Sequence, residues 1–230
     1  MLPIGSVLVD FDGTACLHDV AEHLLIEFGH PSWPEYDAAW ERGELDSRRV
    51  IRAQAEMLGA PLERMLEFAL DHCPIEPTFP AFVRWLATED VSIAVVSDGF
   101  GFYIEPILRA AGIGDLLVIT NTWSSDGDAR VRFDNGHLEC VGCGTCKMGA
   151  VFEARARGAV AFVGDGPSDR YGALYADLAF AKDALVEIAR ADGVPFMPWT
   201  NFDDVRGHLE GIAEVPGPVG GERCPGWRTA

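Results

Sequence analysis

Three short apolar runs in this chain end the same way, in an acid beside a glycine, and that repetition limits the folds open to it more than any other feature. Ser6 to Asp10 reads Ser-Val-Leu-Val-Asp and leads into Phe11-Asp12-Gly13, Val91 to Ser97 stops at Asp98-Gly99, and Ala159 to Val163 stops at Gly164-Asp165-Gly166. Short, rich in β-branched residues and without alternation, they read as strands buried on both faces, as in parallel sheets covered by helices. Leu116 to Thr120 and Leu178 to Ala181 are two further strand candidates. Helical patterns lie between them: Phe100 to Ala111 before Gly112, Lys147 to Arg157 before Gly158, and Lys182 to Ala191 before Gly193. Strand and helix alternating in this manner predict a doubly wound α/β sheet, whose ligands gather beyond the carboxyl ends of the strands.

One stretch breaks the alternation. Asp19 to Phe28, Asp46 to Leu58 and Pro61 to His72 carry apolar residues at helical spacing with no strand between them, and Asp46 is a natural N-cap. Residues 17–76 therefore read as a helical cap inserted into a core made of residues 1–16 and 77–212. Asp134-Asn135-Gly136, between Val131-Arg132-Phe133 and His137-Leu138, signals a hairpin. The Gly/Pro-rich segment 213–230 is expected to be disordered.

Charge bounds the partners. The 230 residues hold 18 basic against 36 acidic side chains, a formal charge of −18, which disfavours nucleic acid or an anionic membrane as the main partner. No apolar stretch approaches the roughly 20 uncharged residues of a membrane span. Met1 to Asp10 contains no Lys or Arg and runs into acids, unlike a secretory leader. The expectation is a cytoplasmic protein, a monomer or a homodimer formed through the cap.

Asp10 and Asp12 stand on alternate residues at a strand end, where two acids can divide the work of nucleophile and general acid, or simply form an acidic turn. Asp165 and Asp169 arrive at the same edge. Four converging carboxylates need a counter-charge, and hard oxygen ligands suited to water and phosphate point to Mg²⁺. Ser97, Asp98 and Gly99 supply a hydroxyl and successive N–H groups at a helix start, a cradle for phosphoryl oxygens. Lys147, one of only two lysines in the chain, opens a helix between these strands.

Taken in order and spacing, Asp10 to Thr14, Ser97, Lys147 and Gly164 to Asp169 resemble the four motifs of the haloacid dehalogenase superfamily, across about residues 6–210. The presence of Asp12 implies a phosphatase rather than a dehalogenase. The helical insert resembles the cap of phosphoserine phosphatase. Cys143-Gly144-Thr145-Cys146-Lys147 and Trp199 to Val205 resemble the branch that dephosphorylates 2-hydroxy-3-keto-5-methylthiopentenyl-1-phosphate.

The resemblance implies a small phosphorylated metabolite as substrate and a role for each residue. Asp10 attacks phosphorus, and Asp12 protonates the leaving alkoxide. Asp10, the Asp12 carbonyl and Asp165 hold Mg²⁺, while Ser97, Asp98 and Gly99 bind phosphoryl oxygens. Lys147 balances charge and Asp169 orients it. Asp19 and Arg52 fall where phosphoserine phosphatase has acidic and basic substrate contacts, although Arg52 reads equally as a solvated cap arginine. Phosphoserine hydrolysis, phosphate transfer to another alcohol, and a non-catalytic phosphometabolite binder stay open as alternatives.

The cysteines stand apart. His137, Cys140, Cys143 and Cys146 offer four ligands at three-residue spacing, enough for tetrahedral zinc. Reduced buried thiols and a redox disulfide are the competing readings.

Overall fold

The structure, a computed structural model, describes residues 2–124, 130–222 and 224–226. Its strands are β1 (Ser6–Val9), β2 (Ser92–Phe100), β3 (Leu117–Trp123), β4 (Val131–Arg132), β5 (Val160–Gly164), β6 (Leu178–Ala181) and β7 (Phe196–Pro198). They form one sheet in the order β4-β3-β2-β1-β5-β6-β7, parallel except for β4. The chain winds outward from β1 in one direction through β2 and β3, then in the other through β5 to β7. The carboxyl end of β1 is thus the point where the winding reverses, and ligands bind at such points in open α/β sheets.

The helices are α1 (Val20–Phe28), α2 (Trp33–Glu41), α3 (Ser47–Met57), α4 (Leu62–His72), α5 (Phe79–Thr88), α6 (Gly101–Ala110), α7 (Lys147–Ala154), α8 (Arg170–Tyr175), α9 (Asp183–Asp192) and α10 (Phe202–Gly211). Alternate residues of each central strand face opposite sides of the sheet. Val7, Val9, Val95, Ala161 and Val163 join one cluster with Phe79, Ile104 and Phe202 of α5, α6 and α10. Leu8, Ala94, Val96 and Phe162 join the other with Val151, Leu174 and Leu185 of α7, α8 and α9. The protein is a doubly wound α/β sheet with helices on both faces.

Four helices, α1 to α4, lie between Cys16 and Ile75, which pair in an isolated antiparallel bridge. Asp19 and Asp46 cap α1 and α3 through bonds from the Glu22 and Arg49 N–H groups. Leu24, Ala55 and Met65 turn inward and join the first cluster, so the insert shares the apolar core of one sheet face.

Three local expectations are corrected. The Asp134-Asn135-Gly136 turn forms, with the Gly136 N–H donating to the Phe133 carbonyl. Val131–Arg132 pairs backward with Thr122–Trp123, however, and not with His137-Leu138, because Asn135 is drawn to the Thr120 carbonyl. Helices α2, α5, α8 and α10 and strand β7 have no counterpart in the sequence reading: no residue of α2 is buried, α8 is six residues long, and β7 is three residues long and ends in proline. The segment after Glu214 has no helix or strand among its described residues, yet it is tied down. Gly217 and Gly220 donate to the Asp177 and Leu174 carbonyls, and the Tyr175 hydroxyl bonds to the Gly221 carbonyl and accepts the Cys224 N–H. Residues 223 and 227–230 of that segment lie outside the described residues.

Candidate active site

Strand register sets the site. Val9 is level with Val95 of β2 and Val163 of β5, so Asp10, Ser97 and Asp165 follow within two residues of one line across the sheet edge. After Asp10 the chain turns tightly, and Gly13 sits at φ +70°, where a side chain is strained. A Cβ there would also lie 2.5 Å from Asp165 Oδ2. Thr14 Oγ1 donates to Asp165 Oδ1 at 2.7 Å, fixing the β5 acid from the β1 loop.

Lys147 is the hub. Its Nζ donates to Asp10 Oδ1 at 2.7 Å, Asp169 Oδ1 at 2.5 Å and Ser168 Oγ at 3.0 Å, with both ion pairs buried. Burial works against this ammonium, but Asp10, Asp169 and Asp98 more than offset it and hold it protonated. Asp169 Oδ2 also accepts the N–H groups of Asp165 and Gly166. Asp10, Asp165 and Asp169 bring one oxygen each within 4.8 Å of one another, the one such convergence of His, Cys, Asp or Glu among the described residues.

One ammonium does not balance these acids. Burial, then Asp169, raises Asp10 well above the usual carboxylate range, and burial with Asp169 pushes Asp165 up to about 6. A cluster of hard oxygens short of positive charge fits a divalent cation such as Mg²⁺.

Asp12 is held separately from Lys147. The Val20 N–H donates to its Oδ1 at 2.9 Å, Ser97 Oγ donates to Oδ2 at 3.3 Å, and the Tyr103 hydroxyl stands 3.4 Å from Oδ2. Burial and the nearby Asp19 push Asp12 up to about 8. Ser97 Oγ also accepts the Gly99 N–H. A Cβ on Gly99 would fall 2.1 Å from the Tyr103 hydroxyl and 2.7 Å from Asp12 Oδ2, so only glycine lets β2 pass this close.

Asp98 does more than offer its N–H. Its carboxylate accepts the Thr145 N–H at 2.6 Å and its carbonyl accepts Asn121 Nδ2 at 2.6 Å, while Thr145 Oγ1 donates to the Ser97 carbonyl. These bonds pin the loop before α7, and so Lys147, to the end of β2. Tyr103, Asn121 and Thr145 escaped the sequence reading because nothing in a helix interior, a strand past its apolar run or a loop marks such contacts.

A cavity of about 280 Å³ opens above this floor, lined by Asp10, Asp12, Ser97 and Asp165 below and by Asp19, Asp37, Trp40 and Gln54 of the cap above. Asp19 reaches it as expected. Arg52 does not line it and is corrected: its guanidinium lies 5.0 Å from the Phe133 ring centre, in a cation–π contact outside the cavity. Zinc is not supported. His137, Cys140, Cys143 and Cys146 do not converge as a metal-holding group. His137 Nδ1 instead accepts the Glu139 and Cys140 N–H groups, and Cys146 Sγ accepts the Gly149 N–H to cap α7. Burial pushes the Cys143 thiol up to about 12, where it keeps its proton.

Residues 7–173 match the family model for haloacid dehalogenase-like hydrolases. The chain belongs to that family. Among its haloacid dehalogenase-like relatives, the 2-hydroxy-3-keto-5-methylthiopentenyl-1-phosphate phosphatase of Bacillus velezensis is 25% identical over 215 residues, covering 91% of each chain. Its counterpart in Exiguobacterium sibiricum is 27% identical, covering 89% of this chain and 95% of the relative. The same fold recurs in solved structures. A phospho-aspartyl intermediate analogue of phosphoserine phosphatase superposes with a TM-score of 0.69 at 19% identity, covering 91% of this chain and 99% of the other. A substrate-bound phosphoserine phosphatase gives 0.67 at 17% identity, covering 90% and 98%. Among the described residues, no helix is long and apolar enough to cross a membrane.

Proposed function

We propose that the protein is a Mg²⁺-dependent phosphomonoester hydrolase working through an aspartyl phosphate on Asp10. The observation that carries this reading is the different environment of two acids on alternate residues. Asp10 is paired with Lys147, whose ammonium works against burial and Asp169, and a cation held beside Asp165 would complete the charge that keeps it a carboxylate. Asp12, two residues on and away from that ammonium, carries its proton at neutral pH, since burial puts its pKa near 8. One environment makes a nucleophile and the other a general acid.

Asp10 attacks phosphorus, the bond to the leaving oxygen breaks, and Asp12 gives that oxygen its proton. Water then attacks the aspartyl phosphate, Asp12 takes the water's proton, and breaking of the phosphorus–Asp10 bond frees phosphate. Ser97 Oγ, which here bonds to Asp12 and the Gly99 N–H, would turn with the N–H groups about Asp98 and Gly99 to the equatorial oxygens, where charge spreads in the transition state. Lys147 neutralises Asp10 and the phosphoryl group, and Asp169 with Ser168 aims its ammonium. Asp10, Asp165 and the Asp12 carbonyl would hold Mg²⁺, which supplies Lewis-acid charge neutralisation of the phosphoryl oxygens.

The substrate proposed first is 2-hydroxy-3-keto-5-methylthiopentenyl-1-phosphate, since relatives carrying that name align with nearly the whole chain. Phosphate release from p-nitrophenyl phosphate and from this ester, with Mg²⁺ and with EDTA, tests the reading. Turnover that EDTA abolishes and Mg²⁺ restores is expected. A folded protein that releases phosphate equally well as Asp10→Asn would overturn it.

A further inference from the structure

The floor of the cavity is committed to a phosphoryl group, so the choice among phosphate esters falls to the roof. The cap presents Asp19, Asp37, Trp40, Ser47, Ile51 and Gln54 to the space above Asp12. No Lys or Arg is among the described residues that line it. The two cap arginines nearest the loop before α7 are engaged elsewhere. Arg48 donates to the Cys143 and His137 carbonyls at 2.7 and 3.0 Å, and Arg52 lies on Phe133.

A carboxylate on the leaving group would therefore enter a wall with two carboxylates and no cation to receive it. It would be desolvated without a partner, which proteins avoid. Hydrogen-bond donors meet the opposite situation. Gln54 Nε2 donates to Asp37 Oδ1 at 2.7 Å, which fixes the Asp37 carboxylate at the wall of the cavity. A carboxylate accepts up to about four hydrogen bonds, so Asp37 keeps capacity for a ligand. Trp40 and Ile51 offer apolar contact for the carbon chain between.

We infer that the substrate's leaving alcohol bears no carboxylate and carries along its chain a hydroxyl or ammonium donor received by Asp37, which makes Asp37 a specificity-determining residue. The inference rests on the phosphomonoesterase reading above. It separates this cavity from one built for phosphoserine, whose leaving group carries a carboxylate.

Two matched pairs of esters test it, each differing at a carboxylate: phosphoethanolamine against phosphoserine, and glycerol 3-phosphate against 3-phosphoglycerate. With wild-type enzyme and Mg²⁺, each ester's KM, or its inhibition constant against p-nitrophenyl phosphate, is measured. The carboxylate-free member is expected to bind at least about tenfold more tightly in both pairs. Asp37→Asn is expected to narrow both ratios to within about threefold, whereas Arg52→Ala leaves them unchanged. Equal or tighter binding of the carboxylate-bearing member in either pair overturns the inference, and so does an unaltered ratio in Asp37→Asn. Should wild type hydrolyse nothing, p-nitrophenyl phosphate included, calorimetry on the intact esters reads the same ratios, so the hydrolase reading and this one fail separately.

Discussion

Asp10 and Asp37 line the same cavity and are held in opposite ways. Asp10 ends a buried strand, its N–H bonded to the Val163 carbonyl and its carboxylate to a buried lysine. Asp37 sits on a helix with no buried residue, steadied by one side chain, Gln54. The floor is thus over-determined by the sheet, whereas Asp37 and Trp40 of the roof stand on an exposed helix that can change without disturbing the core. A family built this way keeps its chemistry and varies its substrate.

The sharpest way to break this contrast is at the nucleophile. Asp10→Asn is expected to lower kcat by at least about 10⁴-fold, as loss of a covalent nucleophile does elsewhere, with circular dichroism unchanged. A second cut separates the two acids. Asp12→Asn should cost about 10² to 10⁴-fold on alkyl phosphates and much less on p-nitrophenyl phosphate, whose leaving group departs without a proton. Equal losses on both esters would deny Asp12 the role of general acid.

Stability should register the floor as well. Lys147→Met removes the one ammonium between Asp10 and Asp169, both buried, and an uncompensated buried charge of this kind costs about 3–5 kcal/mol. Denaturant unfolding at pH 7.5 would measure it, and the loss should shrink at pH 5, because burial raises Asp10 and favours its neutral form.

Acid titration gives a gentler probe in wild type. Asp12 titrates near 8 and Asp165 near 6 in the folded protein against 3.8 for an ordinary aspartate. Between those values the folded state binds more protons than the unfolded one, so stability present below pH 4 is lost as pH rises through 6 and 8. Metal-free protein should therefore melt several degrees lower at pH 8 than at pH 6. Added Mg²⁺ should flatten the part due to Asp165, because a bound cation favours the ionised acid.

The same contrast explains what could be read from residues alone. Each floor residue closes an apolar run or opens a helix after a glycine-rich turn, so Asp10, Ser97, Asp165 and Lys147 announced their positions through the strands that carry them. Roof residues have no such frame. Asp37, Trp40 and Gln54 meet only when α2 and α3 pack, and α2 has no buried stripe to reveal it. Composition misled at the tail, where Gly and Pro suggested disorder but the Tyr175 hydroxyl anchors the backbone at Gly221 and Cys224. Spacing misled at the cysteines, because ligand count says nothing of where the thiols point.

Arg52 makes the smallest and most pointed prediction. Homology by position put it in the substrate site, whereas the structure lays it on Phe133, a residue of the strap that runs from β4 toward Lys147. Arg48 crosses to the same strap and lies 5.3 Å from the same ring. If Arg52 only helps seat the cap on that strap, Arg52→Ala should cost about 0.5–1 kcal/mol in stability, the worth of an exposed cation–π contact, and change KM less than about twofold. A large rise in KM for a carboxylate-bearing ester alone would instead mean that the arginine swings inward when substrate binds. The roof would then owe its selectivity to closure of the cap rather than to the groups that already line it.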